Sequence, residues 1–368
     1  MTDHNAESLT VRQEKQRRAV ARWLLLGVAI LLIQILLGGI TRLTGSGLSI
    51  AEWKPILGAV PPMNQEDWNQ AFELYKQKAS GQFLTQNADY TLSDFKAIYF
   101  WEWMHREWAR IALSGAFLIG FVYFLVKKYF GKGMVTPLIV LFLLGALQGA
   151  VGWIMVASGL NPDDTHVSHI KLAMHFMFAL VLLCYTLWFA LKLRVKPEAI
   201  TYNTGLKGFA GTILVLFALQ LCYGAFMAGL KAAPAAATWP DINGSFFPAD
   251  IHQFGSARYS GVHILTDHPL MVHFIHRSLA YLITALLLVF FFRVRSAGAT
   301  PEMRRAAGIS AGLVLLQVLL GVCTILNAPL MTQSKFQRFE WLAELHQMVA
   351  ILLLVGLVYN YFLLRKQR

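Results

Sequence analysis

The chain has 368 residues, 56% of them hydrophobic and only 14% charged, with a formal net charge of +12. That composition excludes an ordinary soluble domain and a disordered tail, and it is the composition of an integral membrane protein. The basic excess is segregated along the chain by topology, so it carries no nucleic-acid footprint.

Apolar runs long enough to cross a bilayer, roughly 20 residues, recur eight times. Their approximate cores are 23–40, 101–126, 136–158, 170–191, 209–230, 269–292, 307–326 and 341–364. Backbone groups in lipid have no water partner, so each run must be a helix. The apolar–polar alternation of a membrane barrel strand is absent. The segments before the first span, after the last, and between spans two and three, four and five, and six and seven hold 19 Lys/Arg and 5 Asp/Glu. The remainder holds 13 and 15, which puts +14 on one side and −2 on the other and both termini in the cytoplasm.

Residues 1–22 read as a cytoplasmic tail. No small-residue cleavage site follows the first apolar run, which is full length. Asp3, Glu7 and Glu14 argue against a mitochondrial transit peptide, so the expected address is a bacterial inner membrane. Cys184, Cys222 and Cys323 fall inside spans, with none in an outer loop, and read as packing residues.

The first span ends in GGITRLTGSGLS, residues 38–49, with Arg42 at the membrane edge. The outer loop of about 44–98 contains PILGAVPP and an amphipathic stretch, EDWNQAFELYKQKA. In that stretch Trp68, Phe72 and Tyr75 share one helical face, suited to the membrane surface or to a cap on the bundle. The second span is headed by YFWEWMHREWAR, residues 99–110, and the sixth by its echo HFIHR, residues 273–277. His276-Arg277 stand in the place of His105-Arg106, and His273 in the place of Glu102. Each HR pair is followed 70 residues later by another histidine in an apolar run, His175 and His346.

A second repeat runs through the odd spans as Gln-x-x-x-Gly: Gln34/Gly38, Gln148/Gly152, Gln220/Gly224 and Gln317/Gly321. Residues four apart share a helical face, and glycine admits a close neighbour or a flat ligand. The two repeats together predict a duplicated four-helix bundle, residues 23–195 (including the outer loop) and 205–364, with both halves in the same orientation. The outer loop at 231–268 holds His252, His263 and His268, and His166 and His169 precede the fourth span. Histidines so placed are expected to be solvated.

An ionisable group within a membrane costs on the order of 3 kcal/mol when unpaired, so four histidines at matched depth point to a function. Two histidines from facing helices form a bis-imidazole clamp on a haem iron. No further ligands at suitable spacing favour zinc. The 70-residue interval favours His276 as a ligand, with His273, which shares its face, as the alternative. Glu102 lies one turn before His105 and has no counterpart in the second half. A carboxylate there can handle protons or stabilise a cationic intermediate, or it can simply pair with Arg106 or Arg110. Arg42, Arg106, Arg110 and Arg277 are the candidates for haem propionates.

GGITRLTGSGLS, WKPILGAVPP, EWMHREWAR, IKLAMHF, HFIHR and LAELHQ together resemble the haem A synthase family, of the mitochondrial and proteobacterial type, over nearly the whole chain. The resemblance implies oxidation of the C8 methyl of haem O to a formyl group by successive oxygen-dependent hydroxylations. It implies His105 and His175 around the substrate haem, His276 and His346 around a haem b, and Glu102 as the catalytic glutamate. The outer-loop cysteine pairs of some bacterial relatives are missing. The implied partners are haem O and haem A, membrane lipid, a ferredoxin-like or quinol electron donor, haem O synthase, oxidase assembly proteins and a second copy of the chain. The alternative reading is a di-haem cytochrome b that oxidises quinol. It shares the histidine clamps but gives no reason for Glu102 to occur in one half only.

Overall fold

A computed structural model describes residues 2–53, 57–332 and 336–366. Residues 54–56, inside the WKPILGAVPP stretch, lie outside the described residues. The described residues are all-α apart from a two-residue-per-strand hairpin, β1 (Gln253–Phe254) with β2 (Ala257–Arg258). Among the described residues, eight helices are long and apolar enough to cross a membrane.

The helices in chain order are α1 (Thr2–Leu43), α2 (Gln65–Lys78), α3 (Ser80–Gln86), α4 (Leu92–Arg110), α5 (Gly120–Val126), α6 (Val135–Ala157), α7 (His169–Arg194), α8 (Thr204–Gly229), α9 (His263–Thr266), α10 (Pro269–Ser296), α11 (Pro301–Leu326) and α12 (Arg338–Leu363). α4 and α5 are joined by a π-helical segment, Ile111–Ile119, into one continuous span, Leu92–Val126.

The spans outrun the apolar cores read from sequence because polar caps, and not the first charge, end them. Ser168, Asn203 and Thr300 accept the backbone N–H two or three residues into α7, α8 and α11. The second span starts nine residues before the expected Trp101, where Thr91 and Asp94 form a reciprocal capping box. The π segment is the other departure from an uninterrupted apolar helix. Alongside it the Trp23 indole donates to the Ala116 carbonyl at 2.9 Å. Gly120 leaves the space the indole ring occupies, since a Cβ there would collide with it.

The main core joins α1, α7, α8, α10, α11 and α12 through Val28, Leu183, Phe217, Leu287, Val314 and Leu354. A smaller cluster, including Val20, Leu24, Phe124 and Leu138, seals α1 against α5 and α6. The outer loop builds a third. In α2, Phe72 and Tyr75 are buried against Phe95 and Ile98 of α4, Leu48 and Val156, with Trp68 packed at the edge. The amphipathic stretch is therefore a cap on the outer end of the bundle.

The outer-loop histidines divide. His252 is exposed, as expected, whereas His268 is fully buried and caps the N-terminus of α10, accepting from the Met271 N–H at 3.2 Å. His169 and His263 both bond the Asp267 carboxylate, at 2.8 and 2.5 Å. Solvation is the wrong description for His268 and incomplete for His169. The reason is that the loop before α10 folds back over the start of α7 and supplies an acid there.

Candidate functional site

One continuous cavity of about 930 Å³ lies between the helices and is lined by His105, His175, His276 and His346 together. Each histidine faces it from an even-numbered span, and each is backed by the Gln-x-x-x-Gly of a neighbouring odd-numbered span. A Cβ at Gly38 would stand 3.1 Å from Cε1 of His105, and one at Gly152 would stand 2.8 Å from Cε1 of His175. The corresponding distances are 3.4 Å for Gly224 and His276, and 3.0 Å for Gly321 and His346. The glutamine of each motif reaches the same ring, with amide nitrogens 3.0, 3.2, 3.3 and 3.0 Å from a ring nitrogen of His105, His175, His276 and His346. The two sequence repeats are thus one spatial unit occurring four times.

In the second half the rings of His276 and His346 stand edge to face, with centroids 6.5 Å apart and planes 68° from parallel. Two imidazoles that share one metal atom, each bonded at about 2 Å, have centroids roughly 6 Å apart, so the spacing of this pair would admit a metal atom between them. His273 is engaged elsewhere: its Nε2 bonds the Ala232 carbonyl at 2.7 Å and its Nδ1 receives Arg277 at 3.4 Å. Both of its nitrogens are occupied, whereas Nδ1 of His276 is without a partner.

Glu102 lines the cavity and is 2% exposed. Its Oε2 accepts from Ser49 Oγ and the Ile50 N–H, each at 2.8 Å, and its Oε1 accepts from Arg106 at 2.5 Å. These donors come from the end of the GGITRLTGSGLS stretch, so that sequence and EWMHREWAR meet at one carboxylate. The pairing of Glu102 with Arg106, considered from spacing alone, is present. Arg110 pairs with Glu107 instead.

Arg106 donates to the carbonyls of Ile50 and Glu52 at 2.8 and 3.1 Å, and Arg277 donates to those of Ala236 and Asp241 at 2.7 and 2.6 Å. Each HR element therefore offers its histidine to the cavity and uses its arginine to fasten the outer loop of its own half. All four arginines line the cavity, and Arg42 stands beside the Glu344 carboxylate.

One group was missed by sequence reasoning. Glu344, in LAELHQ, is 2% exposed and its Oε2 has no partner. It reaches from α12 to α1, where Gly39 makes room for it, and Arg42 is its basic neighbour. The available signal was an acid inside an apolar run.

Residues 21–358 match the COX15-CtaA family, described as cytochrome oxidase assembly protein. A protein of Flavobacterium psychrophilum named "Heme A synthase" is 36% identical over 94% of this chain and 98% of its own length. One of Flavobacterium johnsoniae with the same name is 36% identical over 96% of this chain and 100% of its own length. A third, from Cereibacter sphaeroides, is 38% identical over 92% and 86%. With eight spans and bacterial relatives along its whole length, the protein is a multi-pass protein of the inner membrane. A match that runs from the start of the first span to the last turns of the eighth leaves no element of the cavity outside it: the chain belongs to the COX15-CtaA family of cytochrome oxidase assembly proteins.

Proposed function

We propose that the chain is a haem A synthase, converting the C8 methyl of haem O to a formyl group by successive oxygen-dependent hydroxylations. The observation that carries the reading is the fourfold histidine seat around one cavity, in a chain whose relatives bear that name. Two four-helix halves, 23–195 and 205–364, each contribute one pair of histidines. His105 and His175 hold the substrate haem O, and His276 and His346 hold a haem b. When bound, these groups supply oxygen chemistry at the first site and electron storage at the second.

The chain's own residues bind, orient and move protons. Gly38, Gly152, Gly224 and Gly321 let each imidazole sit close to its neighbouring helix. Glu102, held by Ser49, Ile50 and Arg106, is the carboxylate positioned to handle protons beside the substrate in the first half only. Arg42, Arg106, Arg110 and Arg277 all line the cavity and are the candidate partners for propionates. Arg106 and Arg277 also fasten the outer loops of their own halves. Electrons come from a ferredoxin-like or quinol donor, and the substrate comes from haem O synthase through the membrane.

Extraction of the haems from protein purified out of cells that supply haem O tests this directly. Haem B together with haem O, a hydroxylated haem or haem A is the expected result. Haem B alone, at two per chain, would replace the synthase reading with a quinol-oxidising di-haem cytochrome b.

A further inference from the structure

We infer that Gln220 and Gln317 are positioning residues for the axial imidazoles of the second half, their side-chain oxygens accepting the Nδ1–H of His276 and His346. This rests on the two-haem reading above.

Of the eight buried side-chain polar atoms without a partner among the described residues, five belong to the histidine seats. They are Oε1 of Gln34, Gln148, Gln220 and Gln317, together with Nδ1 of His276. A buried amide oxygen without a donor costs about 1–3 kcal/mol. An imidazole that gives Nε2 to a metal carries a hydrogen on Nδ1 and needs an acceptor for it. The two deficits have opposite sign and lie side by side. Gln220 reaches the ring of His276 at 3.3 Å, and Gln317 reaches Nδ1 of His346 at 3.0 Å. A half-turn of the amide exchanges its nitrogen for its oxygen without moving the rest of the side chain. For His276 a half-turn of the ring as well brings the two unpartnered atoms together.

The two halves differ in what else holds the amide. Gln34 and Gln148 donate to the main-chain carbonyls of His105 and His175 at 3.1 and 3.0 Å, which fixes their nitrogens toward the histidine. Gln220 and Gln317 show no such bond, so their amides are free to turn. The second-half imidazoles thereby gain a hydrogen bond that makes them more electron-rich ligands, while the first-half pair does not. That asymmetry suits an electron-storing site beside a reactive one. His346 has a second acceptor, the main-chain oxygen of Gln317 at 3.1 Å, whereas His276 has Gln220 alone.

The test is a redox titration, with low-temperature EPR, of the low-spin haem in the purified haem-loaded protein. Gln220→Met keeps the length of the side chain and removes the amide. The expected result is retained haem with a midpoint potential shifted positive and an altered low-spin g-tensor. Gln317→Met should shift it in the same direction by less, because the carbonyl acceptor remains. Gln220→Glu restores an acceptor and should bring the midpoint back to the parental value or below it. Loss of haem in Gln220→Met with retention in Gln220→Glu also supports the role. A parental midpoint and spectrum in Gln220→Met, or equal haem loss in both variants, overturns it. His276→Ala separates the two levels: a surviving low-spin signal there refutes the ligand assignment itself, not only the glutamine's part in it.

Discussion

Gly39 of α1 stands directly against the carboxylate of Glu344 on α12, two residues that are 305 positions apart in sequence. A Cβ at Gly39 would fall 2.5 Å from Nε2 of Gln347, 2.6 Å from Oε1 of Glu344 and closer still to Oε2 of Glu344. Gln347 completes the contact by donating to Glu344 and to the Ile35 carbonyl, each at 3.4 Å. This is where the first and last spans meet, beside Arg42 and two residues from His346.

Overfilling that junction is therefore expected to destabilise the whole bundle. Gly39→Val should cost about 1–3 kcal/mol, read as a lower unfolding temperature of the detergent-solubilised protein. Gly312→Ala, at a glycine with nothing within 4 Å of the added Cβ, should leave that temperature unchanged.

Glu102→Gln keeps the shape of the side chain and an oxygen for Ser49 and Ile50, so both haems should remain bound. Proton handling of this kind contributes roughly 10²–10⁴-fold to a rate, and formyl production should fall by a factor in that range. Chromatography of extracted haems measures it, and undiminished haem A would remove Glu102 from the catalytic role.

His276→Ala and His346→Ala should each abolish the low-spin haem signal, because each takes one of two rings whose centroids lie 6.5 Å apart. Optical and EPR spectra of the purified variants give the answer. Unchanged spectra would contradict the clamp.

Arg42→Ala should lower haem occupancy, since its guanidinium lines the cavity and is the basic neighbour of Glu344. Haem-to-protein ratio after purification is the readout. Full occupancy would leave Arg42 as an interfacial arginine only.

The outer contact between His169, Asp267 and His263 should show itself in acid. Burial pushes the Asp267 carboxyl up, but hydrogen bonds from His263, Thr266 and His169 outweigh it and hold the group below the usual carboxylate value. A depressed value in the folded state means the contribution is fully present above the ordinary carboxylate range. It is lost as pH falls through the folded value. Asp267→Asn should remove that acid-limb dependence from the unfolding temperature while leaving the neutral-pH haem content intact.

The eight spans were legible because bilayer thickness and backbone hydrogen bonding leave little choice for an apolar run of that length. The histidine pairs and the Gln-x-x-x-Gly repeat were legible as periodicities, but not the fact that each glycine faces a particular histidine. That relation links Gly38 to His105 and Gly321 to His346 across helix pairs whose rotation no local pattern fixes. Glu344 was hidden for the same reason, since its counterpart, Gly39, lies at the other end of the chain. The π segment at Ile111–Ile119 has no compositional signature, and the indole of Trp23 that accompanies it comes from a different span. His268 was misjudged because burial of a loop depends on where the loop folds, not on how polar it is.

Arg106 and Arg277 each tie down an outer loop from the position next to a cavity histidine in sequence. A loop so fastened is a roof whose hinge pin is forged onto the ligand helix: lifting it strains the very turn that aims the imidazole.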